Sequence, residues 1–117
     1  MTTTTLFIIN DAPYGNERAY NALRLARALA GKDDQRVYVF LMADAVFCAK
    51  SGQKVPEGYY NTQLMLGQVA RKGAVGLCGT CMDARGMVEA EMIDGAKRST
   101  LAELTDWTAA ADKVLVF

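Results

Sequence analysis

Apolar, β-branched runs recur along this chain with helix-length segments between them, and that alternation limits the folds open to it. Thr4-Thr5-Leu6-Phe7-Ile8-Ile9 and Arg36 to Met42, centred on Val37-Tyr38-Val39-Phe40-Leu41, read as strands buried on both faces. Ala74 to Leu77 is a third strand, Ala96 to Arg98 a short edge strand in the hard-to-read stretch Met87 to Ser99, and Lys113 to Phe117 the last. Between the first two, Glu17 to Ala30 sets Ala19, Ala22, Leu23, Ala26 and Leu29 on one stripe, with Arg18, Asn21 and Arg24 opposite. Asn16 can cap this helix and Gly31 can end it. Asn61 caps a second helix to Lys72, with Met65, Leu66, Val69 and Ala70 inward, and Thr100-Leu101-Ala102-Glu103 fits a capping box opening a helix to Asp112. The inner face of that last helix reads as Leu101, Leu104, Trp107, Thr108 and Ala111. Strands separated by helices imply one α/β domain over residues 1–117, a mainly parallel sheet of about five strands with helices on both faces.

In open α/β sheets, ligands sit beyond the carboxyl ends of the strands. Three connections gather there: Asn10 to Asn16, Ala43 to Asp44, and Cys78 to Cys81, each the place where an apolar run turns polar, small or thiol-bearing. In Leu77-Cys78-Gly79-Thr80-Cys81-Met82-Asp83-Ala84-Arg85-Gly86, a thiol at a strand end can face a crevice. Amides of the following turn favour a thiolate, and Arg85 can add a full positive charge. Met82 to Gly86 reads as a helical turn or two, with Gly79-Thr80 standing between Cys78 and that helix. Cys81 is close enough for an internal disulfide. Cys48 reads as packing, Asp44 as a helix cap rather than a base, and Met82, Met87 and Met92 as filler rather than ligands. The loop Ser51 to Tyr60, with Gly52, Pro56 and Gly58, is long enough to carry function or to be a plain connector.

Composition narrows the chemistry. There is no histidine, so neither a Ser-His-Asp nor a Cys-His pair can form within the chain. Three cysteines cannot make an all-cysteine tetrahedral zinc site, and no metal or cofactor motif is present. Thirteen basic residues balance thirteen acidic ones, so nothing points to nucleic acid or an anionic membrane. The longest apolar runs are far short of a bilayer span, the amino-terminal residues lack a signal-peptide pattern, and an odd cysteine count is a poor disulfide framework. A reducing cytoplasm is the compartment expected.

Asn10-Asp11-Ala12-Pro13-Tyr14-Gly15, Phe40-Leu41-Met42-Ala43-Asp44-Ala45-Val46, Gly52-Gln53-Lys54 with Glu57-Gly58-Tyr59, Cys78-x-Thr80-Cys81-x-Asp83-x-Arg85-Gly86 and Ala111-Asp112-Lys113-Val114-Leu115-Val116-Phe117 stand in the order of one family. Together they resemble the DsrE-like sulfur-relay family, most of all its small YchN-type branch. The resemblance implies a three-layer α/β/α sandwich and assembly into a homohexamer. It also implies a persulfide carried on the cysteine that precedes an Arg-Gly pair, here Cys78, with Cys81 a feature of the branch. The expected mechanism has Cys78 accept a sulfane sulfur from a donor protein, hold it in a pocket lined by Asn10, Tyr14 and Arg85 beside Asp44, and pass it to an acceptor. Cys81 can resolve the persulfide. Thiol–disulfide exchange by the same pair and a non-catalytic, oligomeric small-ligand-binding protein are the alternatives.

Overall fold

The structure is a computed structural model and describes all residues, Met1–Phe117. Five strands, β1 (Thr3–Ile9), β2 (Gln35–Leu41), β3 (Ala74–Cys78), β4 (Ala96–Ser99) and β5 (Lys113–Val116), form one sheet in the order β4-β3-β2-β1-β5. Every neighbouring pair is parallel. Parallel pairing requires a crossover between strands, and α1 (Arg18–Ala30), α2 (Thr62–Ala70), α3 (Gly79–Ala84) and α4 (Leu101–Ala110) lie in those connections. No helix is long and apolar enough to cross a membrane.

The period of two along β1 divides the core. Phe7 and Ile9 pack with Ala19, Ala22, Leu23 and Ala26 of α1 and with Met65, Leu66 and Val69 of α2. Leu6 points the other way, joining Phe40 and Leu104, with Trp107 against them. The result is helices on both faces of the sheet, as the alternation of elements requires. Gly76 makes the second face possible. A Cβ there would stand 3.0 Å from the Phe40 ring and 3.2 Å from the Trp107 indole. The indole instead meets Tyr38 and Phe40 edge-on, with centroids 4.9 and 6.0 Å apart, contacts worth about 0.5–1.5 kcal/mol each.

Helix ends depart from the sequence reading in instructive ways. α4 crosses its face of the sheet alone, so only the narrow i, i+3, i+7 stripe of Leu104, Trp107 and Ala111 reaches the strands. Leu101, on the first turn, and Thr108 are exposed. Asn61 Oδ1 accepts from the Leu64 N–H and Thr100 Oγ1 from the Glu103 N–H, but the return arm of the expected capping box is not made, because the Glu103 carboxylate accepts from the Ser99 hydroxyl instead. Asn16 accepts from the Arg18 N–H, although the residue next to the helix is Glu17. Asp44 is not a cap. It lies in the first turn of a 3-10 helix, Ala43–Ala49, and its carboxylate is committed elsewhere.

Candidate functional site

β3 delivers Cys78 to the carboxyl edge of the sheet, in register with Ser99 of β4. The helix then begins at once. Cys78 is itself the N-cap of α3, with φ −61° and ψ 111°, and its Sγ accepts from the Cys81 N–H at 3.3 Å. This corrects the expectation that Gly79-Thr80 separate the thiol from the helix. A cysteine sulfur occupies the place that a serine, threonine or aspartate oxygen usually fills, a substitution that cap preferences do not anticipate. Both thiols are free and half-buried. Cys81 packs against the α1–α2 side of the core, whereas Cys78 lies with the Leu6, Phe40 and Leu104 group.

The electrostatic balance at Cys78 is also not the expected one. Burial pushes its thiol above the ordinary range, and a hydrogen bond with the Cys81 side chain pushes the same way. The amides of Cys81 and Thr80 act in the opposite sense, as helix-start amides should, but burial outweighs them. Resting Cys78 is therefore a protonated thiol at neutral pH. Cys48 is wholly buried, and burial drives its thiol up to about 12 against an opposing hydrogen bond from Thr62. It packs, as its sequence context indicates.

Arg85 does not reach toward the Cys78 sulfur. Its Nε donates to Asp44 Oδ1 at 2.9 Å and its Nη1 to the Cys81 carbonyl at 3.1 Å. It thus ties the cysteine helix to the end of β2. Ala43, immediately before Asp44, has φ +49°, the one non-glycine residue in the left-handed region. Such a residue costs about 1–2 kcal/mol, and here it turns the chain sharply at the sheet edge where Asp44 meets Arg85.

The structure brings Cys81 to Cys78 and ties Arg85 and Asp44 to the Cys81 end of the helix, but leaves Asn10 and Tyr14 in other contacts. β1 is two strands from β3, about 10 Å at ordinary strand spacing. The Asn10 side chain donates to the Phe117 carbonyl. Tyr14 stacks on Tyr60 at 5.6 Å and donates to Gln53 Oε1 at 2.6 Å. Neither hydrogen-bonds a cysteine.

Gln53 explains the long loop. Its Oε1 accepts from Tyr14, Thr62 and Gln63, and its Nε2 donates to the carbonyls of Phe47, Cys48 and Lys50. One amide fastens the loop Ser51 to Tyr60 to the 3-10 helix and to α2. Sequence reasoning also passed over Arg98. Its guanidinium lies against Gly79, where an added Cβ would be 2.9 Å from the Arg98 Cζ, and it grips both carboxylate oxygens of Asp83 at 2.8 Å. Only the β3–β4 pairing, invisible in the sequence, brings it there. No group of three or more His, Cys, Asp or Glu side chains converges to hold a metal.

Comparison with known proteins gives this edge its context. A model of the DsrE/DsrF-like family matches residues 4–117. The chain belongs to the DsrE/DsrF-like family. Among its relatives in that family, protein YchN of Escherichia coli K12 is 44% identical over 113 residues, spanning 96% of this chain and 97% of YchN. An uncharacterized protein of Methanopyrus kandleri is 40% identical over 111 residues, 94% of this chain and 90% of its own. The crystal structure of the ychN protein from E. coli superposes with a TM-score of 0.92 over 100% of both chains. A protein of unknown function from Methanobacterium thermoautotrophicum, at 14% identity, shares the fold with a TM-score of 0.73 over 97% of each chain. The DsrE/DsrF-like fold is thus the three-layer α/β/α sandwich described above.

Proposed function

We propose that the protein is a sulfur carrier of the DsrE/DsrF-like kind, with Cys78 as the carrying thiol. The observation that carries this reading is the placement of Cys78. It is a half-buried cysteine at the end of an inner strand, capping the helix that follows, in a chain of this family. In the forward step, Cys78 thiolate attacks the outer sulfur of a donor persulfide. The donor S–S bond breaks, the donor leaves as a thiolate, and Cys78 keeps the sulfane sulfur with no net oxidation. An acceptor thiol then repeats that exchange on the Cys78 persulfide. Alternatively, Cys81 thiolate attacks the inner sulfur and expels hydrosulfide. The sulfane sulfur is reduced and the two cysteines are oxidised to a disulfide.

The same reading places the protein in the cytoplasm as a homo-oligomer, a hexamer by family likeness, working between a sulfur donor and a sulfur acceptor protein. Neither nucleic acid, membrane nor cofactor enters the scheme. A second reading, thiol–disulfide exchange by Cys78 and Cys81, is favoured by the 3.3 Å contact from the Cys81 amide to the Cys78 sulfur. Intact-mass spectrometry after exposure to a small-molecule persulfide separates the readings. In Cys81→Ala, which cannot form the internal disulfide, a gain of one sulfur supports carriage; loss of two hydrogens in wild type with no sulfur gained by Cys81→Ala supports exchange, and an unchanged mass in both proteins contradicts both readings.

A further inference from the structure

We propose that Arg98 is the positioning cation for the Cys78 sulfur, with Asp83 as the counter-charge that restrains it. The argument begins at Gly79, the residue joined to Cys78. The space beside its α-carbon is filled by the Arg98 guanidinium, whose Cζ and Nε would lie 2.9 Å and Nη2 3.0 Å from a Cβ built there. A side chain at position 79 and the guanidinium cannot both occupy that space, so Gly79 is what admits a cation to the start of the cysteine helix. The cation is not free to drift. Both its terminal nitrogens bond both oxygens of Asp83, one turn along the same helix, in the planar two-point geometry that arginine alone provides. Its backbone is fixed as well, because the Arg98 N–H donates to Glu89 Oε2 at 2.8 Å and β4 pairs with β3.

The remaining charged groups around Cys78 are otherwise occupied. Arg85, on the far end of α3, is bound to Asp44 and to the Cys81 carbonyl. Glu103, on α4, bonds the hydroxyl of Ser99, the strand partner of Cys78. Cys81 presents its own thiol. Arg98 is therefore the full positive charge adjoining the Cys78 backbone, and Asp83, Glu89 and Glu103 are the nearby negative ones. The Arg98 guanidinium is held above its ordinary range, by its hydrogen bonds to Asp83 first, with Glu89 and, least of all, Cys78 adding attractions of the same sign.

The consequence concerns what Cys78 becomes during turnover. As a resting thiol it is neutral and needs no counter-charge. As an attacking thiolate, or as a persulfide anion extended by about 2 Å of S–S bond, it places negative charge beside Arg98. The guanidinium stabilises both charged forms, and Asp83 tempers that pull. This inference rests on the sulfur-carrier reading for its purpose only. Its test reads thiol ionisation, which does not depend on sulfur transfer.

The experiment measures the rate of Cys78 alkylation, by peptide mapping, across about pH 6.5–10 in wild type, Arg98→Met, Arg98→Lys and Asp83→Asn. A merely structural ion pair is lost equally in Arg98→Met and Asp83→Asn, and both variants would then move Cys78 the same way. An electrostatic role makes them diverge. Arg98→Met should slow alkylation at about pH 8 by roughly threefold, and Asp83→Asn should speed it by roughly threefold, a half-unit displacement in each direction. Arg98→Lys should fall between wild type and Arg98→Met. Both displacements should shrink in about 1 M salt, because the pair is near the surface. Displacement in the same direction, or none in either variant, overturns the proposal. If Arg98→Met does not fold, Asp83→Asn against Arg98→Lys still decides it: faster alkylation with the first and slower with the second are required.

Discussion

Cys81 acts on Cys78 in two opposite senses. Its backbone N–H donates to the Cys78 Sγ at 3.3 Å, which favours the thiolate, while its side chain hydrogen-bonds the thiol and favours the protonated form. The two residues are one helical turn apart, so a single helix start holds both effects, and substitution can separate them.

Cys81→Ala keeps the amide and removes the side chain. Cys78 should then ionise more readily, and its alkylation midpoint should move to lower pH than in wild type. Wild-type Cys78 itself should alkylate slowly at neutrality and accelerate only at pH above the ordinary thiol range. Site-resolved alkylation against pH checks both statements, and a higher midpoint in Cys81→Ala would contradict them.

Cys48 makes stability fall in alkali. Its thiol is raised from 9.0 to about 12 in the folded protein, so the folded state holds the proton more tightly than the unfolded chain. The contribution is intact below the unfolded value and is lost as pH climbs toward the folded one, by up to about 1.4 kcal/mol per unit. The raised Cys78 thiol adds in the same direction. Urea unfolding at about pH 8 and 10.5 should show the decline, and Cys48→Ala should flatten it. A Cys48→Ala variant with an undiminished alkaline slope would show that other groups are responsible.

Gln53→Ala removes an amide that serves three donors and three acceptors, several of them half-buried. Leaving such groups unpaired costs about 2–4 kcal/mol in total. Hydrogen exchange should accelerate across Ser51 to Tyr60 and at the end of the 3-10 helix, with β1 protected as before. Unchanged loop exchange would mean that the glutamine is not the fastening.

How much of this was legible in the sequence depends on the range of the interaction. β1, β2 and β3 and the helix α1 follow from local apolar pattern, and the caps at Asn61 and Thr100 from residue type. Cys78 at the carboxyl edge followed from strand order plus topology. The start of α3 did not, because a glycine follows a cysteine cap and neither is a usual helix signal. The contacts of Gln53, Arg98 and Tyr14 join segments far apart in the chain, and no period or motif encodes them. Burial at Cys78 was equally hidden, since it depends on α4 crossing the opposite face.

Arg85 and Asp44 should matter unequally. Their pair is partly exposed, 26% and 59% for the two side chains, so Asp44→Asn should cost under about 1 kcal/mol. Arg85→Ala also loses the bond to the Cys81 carbonyl and the packing of its stem, for about 1–2 kcal/mol. Chemical denaturation of the two variants gives the comparison. Equal losses would mean that the bond to the Cys81 carbonyl contributes nothing.

The most direct test of sulfur carriage is where the sulfur goes. Wild type, Cys78→Ser and Cys81→Ala are incubated with a small-molecule persulfide, blocked with an alkylating reagent, digested, and mapped by mass spectrometry. The account predicts one added sulfur on the peptide bearing Cys78 in wild type, a longer-lived adduct in Cys81→Ala because no resolving thiol remains, and no adduct in Cys78→Ser. Added sulfur that persists in Cys78→Ser, or that maps to Cys48 or Cys81 in wild type, would contradict the assignment of Cys78 as the carrier.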